Sequence, residues 1–368
     1  MPKLKKIEIK GFRSIKEMSL EIRPLNLLIG ANGAGKSNLI AFFKLVNELM
    51  GERLQQHIGA TGRATANLYF GPKVTPQLEA ELQFQVENGT DTYRMRLFHA
   101  SGDSLIFAEE TLSFHQTGFP QPKVVPLGAG HQETHIGKEA ERNEPVAKAL
   151  RHLLNHCRVY HFHDTSPTAR IRQYCYVGDN RWLMPDAANL AAILHELNSH
   201  REIDYRRIVE TVRQVAPFFD DFDLDPAGPG YREIILNWRH RNSDLVFGPH
   251  QLSDGTLRAI CLISLLLQPK ENLPYLIVVD EPELGLHPYA LKVIASLFRA
   301  ASRHTQVLVS TQSSAFLDNF ESEDIVVVER NGEATEFRRP DAGKLDAWLD
   351  DYLLGEVWEK NVIGGGPH

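Results

Sequence analysis

One run of residues, Gly30-Ala31-Asn32-Gly33-Ala34-Gly35-Lys36-Ser37, restricts what this chain can fold into more than any other feature. It follows the apolar run Leu25–Ile29 and precedes Leu39, Ile40, Phe42, Phe43 and Val46 at helical spacing, so the local order is strand, glycine loop, helix. Glycines in the pattern G-x-x-x-x-G-K-S let successive backbone N–H groups converge on a phosphate, and the helix that follows aims its positive dipole end at the same point. Lys36 is placed to neutralise β- and γ-phosphates and Ser37 to ligate Mg²⁺.

Two further segments carry chemistry. Leu276-Ile277-Val278-Val279-Asp280-Glu281 is an apolar strand ending in two acids, the arrangement that presents a metal-binding carboxylate at the C-terminal edge of a sheet. Asp280 is the expected Mg²⁺ residue, and Glu281, just beyond the strand end, the expected general base for an attacking water. Leu252-Ser253-Asp254-Gly255-Thr256 opens an apolar helix, so a hydroxyl and free backbone N–H groups form a second anion-binding helix start.

Around these segments the chain reads as an α/β protein. Helix Gly255–Leu267, strand Tyr275–Asp280, helix Pro288–Arg303 and strand Gln306–Ser310 alternate as in a parallel sheet. Gln77–Val86 and Thr92–Phe98 alternate about an Asn88-Gly89 turn and predict antiparallel strands. Gly118–Glu144 reads as a loop, Pro145–Cys157 as a helix opening an inserted lobe, and Phe219–Leu224 with Glu233–Trp238 as a strand pair. Helical periodicity at Ala187–Asn198 and Tyr205–Val215 makes that lobe mainly helical. The expected division is residues 1–76 and 246–368 as two parts of one head, with 77–245 holding the antiparallel strands and the inserted α/β lobe.

The order of motifs resembles the ABC-type ATPase superfamily, in particular RecF-like and SMC-like ATPases and AAA-family relatives of the OLD type. G-A-N-G-A-G-K-S is similar to Walker A, L-S-D-G-T to the ABC signature, and L-I-V-V-D-E-P-E to Walker B. L-G-L-H-P at Leu284–Pro288 is similar to the D-loop and S-T-Q-S at Ser310–Ser313 to the switch segment. The resemblance implies a P-loop head that binds ATP and Mg²⁺ through Arg13, Gly30, Asn32, Gly33, Gly35, Lys36, Ser37 and Asn38, with Asp280 and Ser37 on the metal and Glu281, Gln312 and Lys36 catalytic. It also implies a homodimer in which Ser253 and Gly255 of one head cap the ATP held by the other. DNA and a separately encoded effector such as a nuclease are the expected partners, in repair or antiphage defence.

The sequence departs from that pattern twice. The switch residue, often His, is Gln312, whose amide hydrogen-bonds but carries no proton, and Asp254 stands where transporters have Gly. Gln77 is the candidate Q-loop residue by order, with an ordinary strand-start role as the alternative. His152, His156, His161, His163, Cys157 and Asp164 are dense but lack zinc-site spacing. Arg170, Arg172, Arg181, Arg201, Arg206 and Arg207 beside Tyr174, Tyr176 and Trp182 suit single-strand stacking or, more simply, solvated arginines over packed aromatics.

A net charge of −7 means that any nucleic-acid contact comes from a local patch. Three cysteines with no C-x-x-C pair fit a reducing compartment, and the absence of a long apolar run or leader fits a cytoplasmic protein with no membrane partner. The residues after Gln312 are expected to be too few for an appended nuclease domain. Two rivals stay open: a nucleotide-dependent scaffold with little hydrolysis, and a transporter ATPase subunit.

Overall fold

Period-two alternation along β1 (Lys3–Phe12) buries Leu4, Ile7 and Ile9, a bulge between Leu4 and Lys6 keeping all three on one side. The chain turns back as β2 (Ile15–Glu21) and then enters β3 (Leu25–Ile29), buried along its whole length. After the glycine loop come α1 (Lys36–Met50), α2 (Leu54–Ala60) and α3 (Arg63–Asn67). β4 (Gln77–Val86), β5 (Gly89–Ala100), β6 (Ser104–Gln116) and β7 (Lys123–Gly128) follow, then α4 (Ile136–Glu141) and α5 (Pro145–Asn155). The computed structural model describes residues 2–230 and 232–366.

Next are β8 (Cys157–Tyr160), β9 (Cys175–Tyr176), α6 (Leu190–His200), α7 (Glu202–Val215), β10 (Phe219–Asp223), β11 (Glu233–Ile234), β12 (Asn237–His240) and β13 (Val246–Phe247). The last third adds α8 (Asp254–Leu266), β14 (Leu276–Asp280), α9 (Pro288–Ala301), β15 (Gln306–Thr311), α10 (Ser314–Leu317), β16 (Ile325–Asn331), β17 (Ala334–Arg338), α11 (Ala342–Leu349) and α12 (Leu354–Glu359).

Two large sheets result. One is antiparallel, in the order β2-β1-β4-β5-β6-β7; the other runs β17-β16-β3-β15-β14-β8, parallel except for β17. Strands of the second sheet alternate between two cores. Leu27, Val309 and Val279 face the core under α6 to α9, while Leu28, Leu308 and Val278 face the one holding α1 and the antiparallel sheet. Burial on both faces is why these strands read as unbroken apolar runs.

The structure redraws the expected division. β4 to β7 complete a sheet begun by β1 and β2, so a boundary at residue 77 cuts through it. Residues 118–144, read as a loop, contain β7 and α4. The helix expected over Pro145–Cys157 ends at Asn155, and Cys157–Tyr160 is the edge strand of the parallel sheet; four residues are too few to show a period. The expected pairing of Phe219–Leu224 with Glu233–Trp238 holds at its end, where Phe222 lies opposite Trp238 and Asp223 opposite Asn237 as β10 pairs with β12, while Glu233–Ile234 pairs with β9 instead.

Candidate functional site

The register of the parallel sheet levels its C-terminal ends. Ile29 lies opposite Thr311, Ser310 opposite Asp280, and Val279 opposite Tyr160. The glycine loop, Gln312, the Asp280–Glu281 pair and the His161–Asp164 loop therefore emerge side by side, at the edge where open α/β sheets bind ligands.

Gly30 opens the loop and Asn32 and Gly33 lie exposed at its tip, lining a cleft of about 370 Å³ shared with Asn361, Gly365 and Gly366. Gly35 has φ +111° at the start of α1, and a Cβ there would overlap the Thr335 hydroxyl, so both backbone angle and space require glycine. Lys36 is 4 % exposed and donates from Nζ to Gly30 O (2.5 Å) and Ala31 O (3.1 Å). Burial pulls its pKa below the usual lysine range, opposed by Glu281, Asp280 and Glu283. Ser37 is exposed beside it. Asn38 donates to Ser14 Oγ at 2.5 Å. Arg13, with φ 48°, donates to Asn67 Oδ1 from Nε (3.3 Å) and Nη2 (3.2 Å), and it lines with Ser14, Asn38, Phe70 and Arg330 a cavity of about 710 Å³. That volume is of the size that holds a small organic ligand.

On the acidic strand end, Ser310 Oγ donates to Asp280, and His163 Nε2 lies 2.9 Å from the Asp280 carbonyl oxygen. Glu281 sits in the left-handed region at φ 42°, a conformation that side chains with a Cβ resist by about 1 kcal/mol. Gln312 Nε2 donates to Glu281 Oε1, which joins the two expected catalytic side chains directly. Glu283 escaped the sequence reading. Its Oε1 accepts from Thr311 Oγ1 (2.6 Å) and Gln312 N (2.9 Å), its Oε2 is buried without a partner, and burial raises its pKa. The spacing D-E-P-E placed it near Asp280, but only the sheet register shows it under the Gln312 backbone.

Ser253 caps α8, accepting from Thr256 N at 3.2 Å. Gly255 meets the Gly285 backbone so closely that a Cβ would overlap its carbonyl oxygen. Among the described residues no hydrogen bond or ion pair joins Ser253 or Gly255 to the glycine loop. Asp254, which would add negative charge near phosphates, is instead paired with Arg172 Nη2 at 3.0 Å. Arg172 is thus no surface arginine: it is 5 % exposed and clamps this turn. Arg170, Arg206 and Arg207 pair locally with Asp186, Glu202 and Asp204, and Arg201 with Glu271. Gln77 donates to Glu79 at 2.6 Å at the start of β4 in the antiparallel sheet, and His161–Asp164 follow β8 at the parallel-sheet mouth. His152 meets Tyr275 edge-on and His156 lies tilted against it, and the described residues include no group of three or more His, Cys, Asp or Glu arranged to hold a metal.

A family profile described as "AAA ATPase domain" matches residues 2–87, and one described as "AAA domain, putative AbiEii toxin, Type IV TA system" matches residues 164–318. The OLD nuclease of Thermus scotoductus (strain ATCC 700910 / SA-01) is 24 % identical over 385 aligned positions, spanning 96 % of this chain and 67 % of that protein. The Smc head bound to the C-winged helix domain of ScpA superposes with a TM-score of 0.61 at 16 % identity, covering 94 % of this chain and 99 % of that one. A Smc head with an extended coiled coil, bound to the C-terminal domain of ScpA derived from Pyrococcus furiosus, gives 0.60 at 16 % identity, over 95 % and 99 %. These structures share the fold, a P-loop α/β head, and no helix of the described residues is long and apolar enough to cross a membrane.

Proposed function

We propose that this chain, an ABC-type ATPase head similar to those of OLD, RecF and SMC proteins, binds Mg-ATP in the glycine loop and closes head to tail on a second copy, hydrolysis reopening the pair. The supporting observation is the levelled strand ends: one mouth gathers Lys36, Ser37, Asp280, Glu281 and Gln312, while Ser253 at its own helix start is exposed and free to meet a second copy.

The residues fit Mg-ATP. A buried ammonium rests on loop carbonyls that a phosphate can replace, an exposed serine hydroxyl begins α1, and the buried Glu283 Oε2 lacks a donor. Bound Mg²⁺ would supply charge neutralisation between outer phosphates, and Ser37 and Asp280 would hold it. Lys36 leaves Gly30 O and Ala31 O to meet the β- and γ-phosphates. Glu281 takes the proton of the attacking water, and Gln312, already bonded to Glu281, orients that water. Asn38 and Arg13 border the cavity suited to the nucleoside. Ser253 and the first N–H groups of α8 cap the partner's outer phosphates, so loss of the γ-phosphate loosens the pair. The output is movement, delivered to DNA or to a separately encoded effector in repair or antiphage defence; that the relative is named a nuclease supports a nucleic-acid setting. Because the Gln312 amide carries no proton, a nucleotide-gated scaffold with slow turnover is the rival reading.

Light scattering on Glu281→Gln with and without Mg-ATP, beside steady-state ATPase of the wild type with and without DNA, tests the proposal. A doubling of mass with ATP that Ser253→Arg abolishes is expected. Unchanged mass together with unchanged ATPase in Ser253→Arg would overturn it.

A further inference from the structure

Ser253 can cap a partner's nucleotide only if its turn is held in place, and that turn lies in a surface segment with an acid in the middle. The Arg172 guanidinium lies beneath it. Nε donates to Thr165 O at 2.9 Å, Nη1 to Pro249 O, both terminal nitrogens to Leu252 O at 3.4 Å, and Nη2 to Asp254 Oδ1 at 3.0 Å. A second arginine runs the opposite way. Arg258, one turn into α8, donates to Phe162 O (3.3 Å), His163 O (2.9 Å) and Leu284 O (3.1 Å). Both guanidinium groups thus bind the turn to residues 162–165, and His163 Nε2 in turn meets the Asp280 carbonyl oxygen.

Given the two-sided site proposed above, we infer that Arg172 is a positioning residue for the partner's ATP: it fixes the Pro249–Asp254 turn onto the loop leaving β8 and pairs off Asp254. Each head then presents Ser253 in a geometry tied to its own acidic strand end. Planar fork geometry is the reason for arginine, since lysine offers one charge centre and cannot span Thr165, Pro249, Leu252 and Asp254 together. The pairing also accounts for an aspartate beside a polyphosphate site: one oxygen of the exposed Asp254 carboxylate is held by the buried Arg172, which offsets its charge.

The test is complementation between defective heads. Arg172→Ala and Arg172→Lys are each expected to keep fluorescent-ATP affinity of the single head within about twofold while losing tenfold or more in ATP-driven dimerisation and turnover, the lysine variant covering the case in which alanine does not fold. Lys36→Ala, alone inactive, is then mixed one to one with each. Half of the dimers are mixed and each has one intact composite site, so turnover returns to about a quarter of wild type. A Ser253→Arg plus Lys36→Ala mixture is the reference. If the reference recovers and the Arg172 mixtures stay inactive, Arg172 acts within its own site and the inference is overturned. If the reference also stays inactive, the two-sided site itself fails.

Discussion

Thr335→Val removes one oxygen from behind the glycine loop and keeps the shape of the side chain. Thr335 is 1 % exposed on β17, and its Oγ1 donates to Ala34 O at 2.9 Å. Its proton being used there, Ser14 Oγ donates to Thr335 Oγ1 at 2.6 Å and accepts from Asn38 at 2.5 Å, so three side chains form one polarised chain. Valine leaves a buried carbonyl without this donor and a half-buried hydroxyl without its acceptor, a loss of about 2 kcal/mol. At about 2 cal/mol/K per residue for the unfolding entropy, that lowers Tm by about 3 °C. A functional loss follows from peptide geometry: a trans peptide points N–H opposite to C=O, so anchoring Ala34 O behind the loop aims the Gly35 N–H into its mouth. ATP affinity is expected to fall up to about tenfold, equivalent to about 1.4 kcal/mol. Urea unfolding and fluorescent-ATP titration measure both, and Thr335→Ser, which keeps the hydroxyl, should restore them. Stability within about 0.5 kcal/mol of wild type together with unchanged affinity would refute the claim that β17 braces the loop.

Gly255→Ala tests the close approach of α8 to Gly285. Helix propensity alone predicts stabilisation by about 1 kcal/mol, whereas overlap with the Gly285 carbonyl predicts a loss of about 1–3 kcal/mol, and thermal melting reads the sign. Asp91, 4 % exposed, has its carboxyl pushed from 3.8 up to about 6 by burial. A pKa raised in the folded state gives stability that is full below about 4 and lost as pH rises through about 6. Between pH 4 and pH 8 the wild type should therefore lose about 2 kcal/mol relative to Asp91→Asn, and a parallel pair of unfolding curves would contradict this. Glu281→Gln should slow steady-state turnover by about a hundredfold or more while nucleotide still binds; unchanged turnover would remove Glu281 as the base.

The pieces that could be read from sequence are those whose cause is local. The glycine loop, the acidic end of Leu276–Asp280 and the Ser253 cap each depend on residues within a turn or two of one another. Three strands of the parallel sheet, β3, β14 and β15, were visible because burial on both faces leaves an unbroken apolar run, whereas β16 went unread although its first four residues are equally apolar and buried. β8 was hidden, since four residues show no period, and with it the position of His161–Asp164. Arg172 looked like one of several surface arginines, because sequence gives charge but not depth; its partners, Pro249 and Asp254, lie 77 and 82 positions away. Gln77 was selected by order along the chain, yet its strand belongs to the other sheet.

By itself, then, the sequence determined which short segments can cradle phosphates, end a strand in acids and start a helix with a free hydroxyl, since hydrogen-bonding capacity and backbone freedom belong to the residues. Only the tertiary structure decided which of them share a mouth. Strand order and register, set by how each apolar face is buried, bring Gln312 onto Glu281 and Glu283 beneath Gln312, put Thr335 behind Gly35, and set Arg172 under the exposed Ser253–Asp254 turn.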